Sequence, residues 1–247
     1  ESSTGRILAM VGGVDYNQSV FNRAFQSKRQ AGSAIKPFLY QTALNEGYNP
    51  ASQLFDIGRT YTYTVGGVQK KWQPKNYGGN FQGIVSLRDS LVQSRNLSTL
   101  NLVTDVGVNT TTDDLKRYGF KDIVDNLSVT LGSMSVNLIE FSQAYTIFSN
   151  NGVQVKPYIV EQIVNKDGKS VTFEPQRKEL NPPEQSYLIT SILKDVVTKG
   201  TGRRAAVDGI ELAGKTGTTN DNIDAWFCGY SPSIQTIVWF GNDNNTP

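Results

Sequence analysis

Ser33 and Lys36 stand three residues apart in the run Gln-Ala-Gly-Ser-Ala-Ile-Lys-Pro-Phe, residues 30–38. On a helix, positions i and i+3 share a face, so the hydroxyl and the amine look into the same space. That pairs a nucleophile with a base, which is what acyl transfer needs. The chain contains no histidine. A Ser-His-Asp triad, a Cys-His dyad and a histidine-ligated metal are therefore excluded. Its single cysteine, Cys228, excludes an internal disulfide and a thiolate zinc site. Set among aromatics in Asp-Ala-Trp-Phe-Cys-Gly-Tyr, Cys228 reads as a small buried hydrophobe. A catalytic base in this chain is then Lys, Asp, Glu or Tyr.

A lysine accepts a proton only when neutral. Its reference pKa of about 10.4 must be lowered by burial or by a second cation. The run Ala-Gly-Lys-Thr-Gly-Thr, 213–218, supplies a candidate at the end of an apolar strand. Lys215 brings positive charge, the hydroxyls of Thr216 and Thr218 can hold a carboxylate, and Gly217 lets a ligand lie against the strand. By itself the run reads equally well as a polar strand end entering a turn. Ser-x-Asn occurs at Ser94-Arg95-Asn96, Ser135-Val136-Asn137 and Ser149-Asn150-Asn151. Asn137 is better explained as a helix N-cap, and the last triplet, before Gly152, as a C-cap. Ser94-Arg95-Asn96 sits between two expected helices, where a short connection presents both side chains. Ser-x-x-Lys also recurs at Ser191–Lys194, inside a strong amphipathic helix where a structural role is the better reading.

The elements that must position these groups follow from local pattern. Gly32 allows a tight turn and places Ser33 at a helix N-terminus, where unpaired N–H groups favour developing negative charge, as in half an oxyanion hole. The helix is expected over 33–47. Pro37 is expected to push Lys36 away from α geometry and to leave the Ser33 carbonyl without its usual donor. A buried strand is expected over 5–15 and a hairpin over 60–72 around Gly66-Gly67. Further helices are expected at about 86–94, 97–107, 112–118 and 138–149, with Ser86, Thr112 and Asn137 as N-caps. Residues 153–175 read as two strands around Asp167-Gly168, and 182–200 as a helix. Three strands follow at 210–217, 224–231 and 234–241, the last two antiparallel. This is an α+β pattern: a central, mainly antiparallel sheet with helices on both faces, borne by about 1–82 and 151–247, and a mainly helical part at about 83–150.

The 247 residues carry 24 Lys and Arg against 22 Asp and Glu, with no basic run longer than two, so nucleic acid is not expected as a partner. No stretch approaches the ~18 apolar residues of a membrane span. Opening on Glu-Ser-Ser-Thr-Gly and closing just after a strand-like run, the chain is expected to be a piece of a longer one.

In order and spacing, Ser33-Ala-Ile-Lys36, Ser94-Arg95-Asn96 and Lys215-Thr216-Gly217-Thr218 resemble the three signatures of the penicillin-recognising serine acyltransferases. The resemblance runs nearly end to end and is to the transpeptidase module of a class A, bifunctional penicillin-binding protein. Ala31 stands where that family more usually has proline. The resemblance implies a β-lactamase/transpeptidase-like fold over 1–247 and no cofactor. It implies that Ser33 attacks the penultimate D-alanine carbonyl of a peptidoglycan stem peptide ending in D-Ala-D-Ala, and that Lys36 takes its proton. Ser94 would relay a proton to the leaving amine and Asn96 would position donor and Lys36. Lys215, Thr216 and Thr218, with Gly217 between, would hold the terminal carboxylate, and the amides of Ser33 and Thr218 would form the oxyanion hole. β-Lactams would acylate the same serine. The parent chain would carry an upstream glycosyltransferase domain and work outside the cytoplasm. A β-lactamase of class A would place a glutamate ahead of an asparagine near 127–141, and none is there. A D,D-carboxypeptidase and a non-catalytic β-lactam sensor or scaffold are the remaining alternatives.

Overall fold

The computed structural model describes residues 1–219 and 222–246. In chain order, a 3-10 turn at Gly32–Ile35 leads into α1 (Lys36–Asn45). Then come β1 (Gln53–Asp56), the hairpin β2 (Tyr61–Val65) and β3 (Val68–Trp72), and β4 (Gly83–Ser86). Helices α2 (Leu87–Val92), α3 (Asn96–Val106), α4 (Val108–Arg117) and α5 (Leu138–Ser149) follow. Short strands β5 (Val153–Val155), β6 (Gln162–Val164), β7 (Ser170–Thr172) and β8 (Arg177–Glu179) precede the long helix α6 (Pro183–Thr198). The chain closes with β9 (Ala213–Thr218), β10 (Asp224–Tyr230) and β11 (Gln235–Gly241). Every described strand pairing between these elements is antiparallel, in keeping with the expected mixed helix-and-strand class.

Helix α1 lies at the centre. All its residues from Lys36 to Leu44 are buried, as a helix without a polar stripe requires. Phe38 anchors it: the rings of Tyr118, Phe120, Phe141, Tyr145 and Phe148 surround it at centroid distances of 4.8 to 6.2 Å. Truncating a ring in such a place costs about 3–5 kcal/mol.

The last three strands form one sheet in the order β9-β10-β11, with Lys215 opposite Cys228 and Cys228 opposite Ile237. Alternation puts Trp226, Cys228 and Tyr230 on one buried face. There the Trp226 ring meets Phe141 of α5 edge-on at 5.4 Å, and the Tyr230 hydroxyl pairs with that of Thr190 on α6 at 2.9 Å. The sheet is thus pinned to the same aromatic core as α1, which fixes β9 relative to the turn carrying Ser33.

Several expectations are met in detail. Ser86 caps α2 through Asp89 N–H, and Asn137 with Glu140 forms a capping box on α5. Others are not. Residues 5–15 do not form a buried strand. Their one strand-like contact is a bridge from Arg6 to Tyr158, and Leu8, Val11 and Val14 are exposed. A cleft of about 500 Å³ separates the run from β11; an apolar run becomes a strand only where a neighbouring strand supplies the ladder. Helix α4 starts at Val108 after Gly107, not after Thr112, because Gly107 at φ 104 already breaks the chain from α3. The hairpin around Asp167-Gly168 forms as β6 and β7, but Val153–Val155 leaves it to pair with β8. Among the described residues no helix is long and apolar enough to cross a membrane.

Candidate active site

The turn carrying Ser33 is pressed against the end of β9. Gly32 has φ 51, a left-handed conformation that favours glycine, and a Cβ there would lie 2.7 Å from the Thr218 carbonyl oxygen. A Cβ on Gly217 would lie 2.8 Å from that of Ala34. Backbone therefore meets backbone between the two motifs. The other side of the turn is held by the Ala31 N–H donating to Met134 O at 3.1 Å and the Tyr145 hydroxyl donating to Ala34 O at 2.6 Å. A proline in place of Ala31 would lack that first donor.

Two details depart from the expected geometry. Lys36 is ordinary α-helical backbone at φ −53 and ψ −39, and its N–H donates to the Ser33 carbonyl, which is therefore not left bare. The reason is that Pro37 sits in the first turn of α1, where a missing N–H costs nothing. The 3-10 turn supplies the bond, and in a 3-10 turn residues i and i+3 eclipse, which keeps Ser33 and Lys36 on one edge. Ser33 itself is half-buried.

Lys36 is fully buried. Its Nζ donates to Ser94 O at 2.8 Å, Arg95 O at 3.1 Å and Asn96 Oδ1 at 2.7 Å. Burial, and then the charges of Lys215 and Arg95, hold its pKa well below the usual lysine range, against a weaker pull upward from Asp56. Lys215, also fully buried, donates to Ser94 Oγ and to Thr216 O, both at 2.9 Å. Burial brings it down to about 7. Ser94 thus stands between two buried amines, one on its carbonyl and one on its hydroxyl. A hydroxyl that accepts from Lys215 keeps its own proton to give. Ser94 holds φ 56, an uncommon and costly state for a residue with a Cβ. Thr216 shares a 2.6 Å hydroxyl contact with Thr201, and Thr218 is exposed at the strand end. Cys228 is buried and burial pushes its thiol pKa up, as befits a packing residue.

Sequence reasoning missed the group beneath this turn. Asp56, fully buried at the end of β1, accepts from both Nε and Nη2 of Arg95, from Asn76 Nδ2 at 2.9 Å and from the Gln82 N–H at 2.9 Å. Burial works against its charge, but the hydrogen bonds from Arg95, Asn76 and Gln82 prevail and lower its pKa. A signal existed: strand alternation puts Asp56 on the same inward face as Leu54. The other candidate triplets serve other ends. Asn137 caps α5 and Asn150 ends it. Ser191 Oγ accepts from Arg88 Nη2 at 3.0 Å, and Lys194 pairs with Glu211.

A family model described as the penicillin binding protein transpeptidase domain matches residues 1–245. Penicillin-binding protein 1A of Neisseria cinerea is 35% identical over 98% of this chain, and that of Pseudomonas aeruginosa 33% over 97%. The chain spans about a third of their length, 32% and 35% respectively. The crystal structure of penicillin-binding protein 1A from Haemophilus influenzae superposes with a TM-score of 0.91 at 32% identity, covering 99% of this chain and 42% of that one. The fold also matches PonA1 of Mycobacterium tuberculosis, solved with penicillin V, at TM-score 0.78 and 23% identity over 96% of this chain and 65% of that one.

Proposed function

Because the chain belongs to the penicillin-binding protein transpeptidase family, we propose that it is a serine D,D-transpeptidase that cross-links peptidoglycan stem peptides through an ester on Ser33. The observation that carries this reading is the convergence of Lys36 and Lys215 on Ser94, at 2.8 and 2.9 Å, with Asn96 on the same Lys36 amine. Two buried cations side by side are costly unless they serve charge that develops there.

An ammonium with three acceptors has no lone pair. Lys36 must lose one proton before it can take one from Ser33, and burial beside Lys215 and Arg95 makes that loss easy. Ser33 Oγ then attacks the carbonyl carbon of the penultimate D-alanine as its proton passes to Lys36 Nζ. The backbone N–H groups of Ser33 and Thr218 receive the oxyanion. When the C–N bond breaks, Ser94 passes a proton to the departing D-alanine amine and recovers one through the neighbouring lysines. Lys215, Thr216 and Thr218 hold the terminal carboxylate of the donor, Gly217 lets the Ser33 turn rather than a ligand pack against the strand there, and Asn96 orients donor and base. The amine of a second stem attacks the ester and restores Ser33. A β-lactam opens its ring amide on the same serine, and the amine stays tethered. No metal or organic cofactor enters these steps.

Residues 1–247 form one transpeptidase domain in this reading, with sheet-bearing parts at about 1–82 and 151–247 and a mainly helical part at about 83–150. The parent chain adds an upstream glycosyltransferase domain and works on the outer side of the cytoplasmic membrane. The test is a stem peptide ending in D-Ala-D-Ala, offered with and without an amine acceptor, with D-alanine release and cross-linked product both measured. Cross-linked product blocked by prior penicillin treatment is expected. D-alanine release into water alone would make the protein a D,D-carboxypeptidase, and neither product would make it a sensor or scaffold.

A further inference from the structure

We propose that Asp56 is a positioning residue for acyl transfer, which holds the Ser94–Asn96 turn in its working shape through Arg95 and Asn76. The proposal rests on the reading of that turn as part of the transpeptidase site.

Helix α3 begins at Asn96, and its own N-cap residue, Arg95, gives no side-chain cap. The cap comes from elsewhere. Asn76 Oδ1 accepts the first two helix amides, Asn96 N at 2.8 Å and Leu97 N at 3.0 Å. That orientation is not free to invert. Asn76 Nδ2 donates to Asp56 Oδ1 at 2.9 Å and to Asn80 O at 2.8 Å. A carboxylate only accepts, so a flipped amide would set Asn76 Oδ1 against Asp56 and its NH2 group against two N–H donors. Asp56 therefore decides which way the cap of α3 points.

The same carboxylate grips the Arg95 guanidinium through Nε and Nη2. Between the capped amide of Asn96 and the pinned side chain of Arg95, the backbone has little choice. It presents the carbonyls of Ser94 and Arg95 and the Asn96 carboxamide to Lys36, and it holds Ser94 at φ 56. A left-handed serine persists only where its surroundings over-determine it. Asp56 touches neither Lys36 nor Ser94 through a hydrogen bond, so it acts through its partners.

It also acts through charge. The charges that bear on Lys36 are Lys215 from β9, Arg95 from the turn and Asp56 from β1; the first two favour loss of its proton and Asp56 opposes it. Asp56→Asn thus lowers the pH at which Lys36 becomes a base, and Arg95→Gln raises it.

The experiment is the rate of acylation by a fluorescent penicillin as a function of pH, in the whole chain, with circular dichroism and melting as the check on folding. Asp56→Asn is expected to slow the plateau rate by about 100-fold through misplacement of the turn, and to move the acid limb to lower pH. Arg95→Gln is expected to move the limb the other way. A folded Asp56→Asn with the parental rate, or with a slower rate and an unmoved limb, would overturn the proposal. Should that variant not fold, Asn76→Ala decides: it leaves no buried charge unpaired, and acylation about tenfold slower with an unmoved limb is expected. The parental rate in folded Asn76→Ala overturns the proposal. Labelling of the parent chain separates this from the functional reading, since an unlabelled parent would overturn both.

Discussion

Lys36 is fully buried and gives its protons to two backbone carbonyls and a carboxamide. Lys194, at the same spacing from its own serine, is 38% exposed and ion-paired with Glu211. The two serines differ as much. Ser33 opens a 3-10 turn behind a left-handed Gly32, with the end of β9 against it. Ser191 lies in the middle of α6, where Arg88 takes both its hydroxyl and its carbonyl. Spacing puts a serine and a lysine on one face in either case. What separates them is whether the lysine is denied both water and a carboxylate of its own. A paired surface lysine keeps its proton; a buried one beside other cations gives it up readily.

The largest expected effect breaks the comparison outright if it fails. Ser33→Ala is expected to abolish covalent labelling by penicillin, seen as loss of the adduct by intact mass. The adduct in the parent should map to the peptide containing Ser33. Retention of the adduct in Ser33→Ala would remove Ser33 from its role, and an adduct on Ser191 would exchange the two sites.

Next in size is the pair of lysines. Lys36→Ala is expected to slow acylation about 10²–10⁴-fold, the usual worth of a positioned general base. Lys194→Ala, which loses only a solvent-exposed ion pair, is expected to acylate at the parental rate. Stopped assays with a fluorescent penicillin read both. Equal rates in the two variants would erase the distinction drawn from burial.

The motifs of the site were legible because chemistry restricts them. Without histidine the base for a serine nucleophile is narrowed to Lys, Asp, Glu or Tyr, and the order Ser33–Lys36, Ser94–Asn96, Lys215–Thr218 is hard to meet by chance. The helices α2, α5 and α6 were legible from Ser86, the Asn137–Glu140 box and the prolines at 182 and 183. What was not legible depends on distant partners. The run at 5–15 has the composition of a strand, but composition does not say whether a ladder is available. Pro37 looks like a helix breaker in isolation, whereas its place in the first turn makes it harmless. Asp56 and Asn76 are far from Arg95 and Asn96 in sequence, and only the folded chain joins them.

A smaller effect sharpens the contrast through stability. Burial holds Lys215 at about 7, while in the unfolded chain it titrates near 10.4. Between those values the unfolded state binds more protons than the folded one, so stability rises with pH across that window. Below it the whole penalty stands. Urea denaturation of Lys215→Met and of the parent should therefore show a gap that shifts in the parent's favour by on the order of 3 kcal/mol from neutral pH to about 10. A flat gap for Lys215→Met would mean that its amine is solvated after all, and Ser94 would no longer stand between two water-excluded amines.

The smallest effect concerns Ser191. Ser191→Ala removes one acceptor from Arg88, whose guanidinium also reaches Asp195 and the Ser191 carbonyl. With those two partners left and the place only half-buried, the loss is expected to be about 1.5 kcal/mol, the low end of the net worth of a hydrogen bond to a charged donor. The check is a lower urea midpoint at an unchanged slope, with penicillin labelling at the parental rate. Together they would show a serine that matters to the fold and not to the reaction, the reverse of Ser33, whose turn is held by Gly32 packing on the end of β9, by the Ala31 N–H on Met134 O and by the Tyr145 hydroxyl on Ala34 O. Slower labelling in a fully folded Ser191→Ala would mean that α6 transmits strain to β9, which it packs against, and the two Ser-x-x-Lys pairs would no longer be independent.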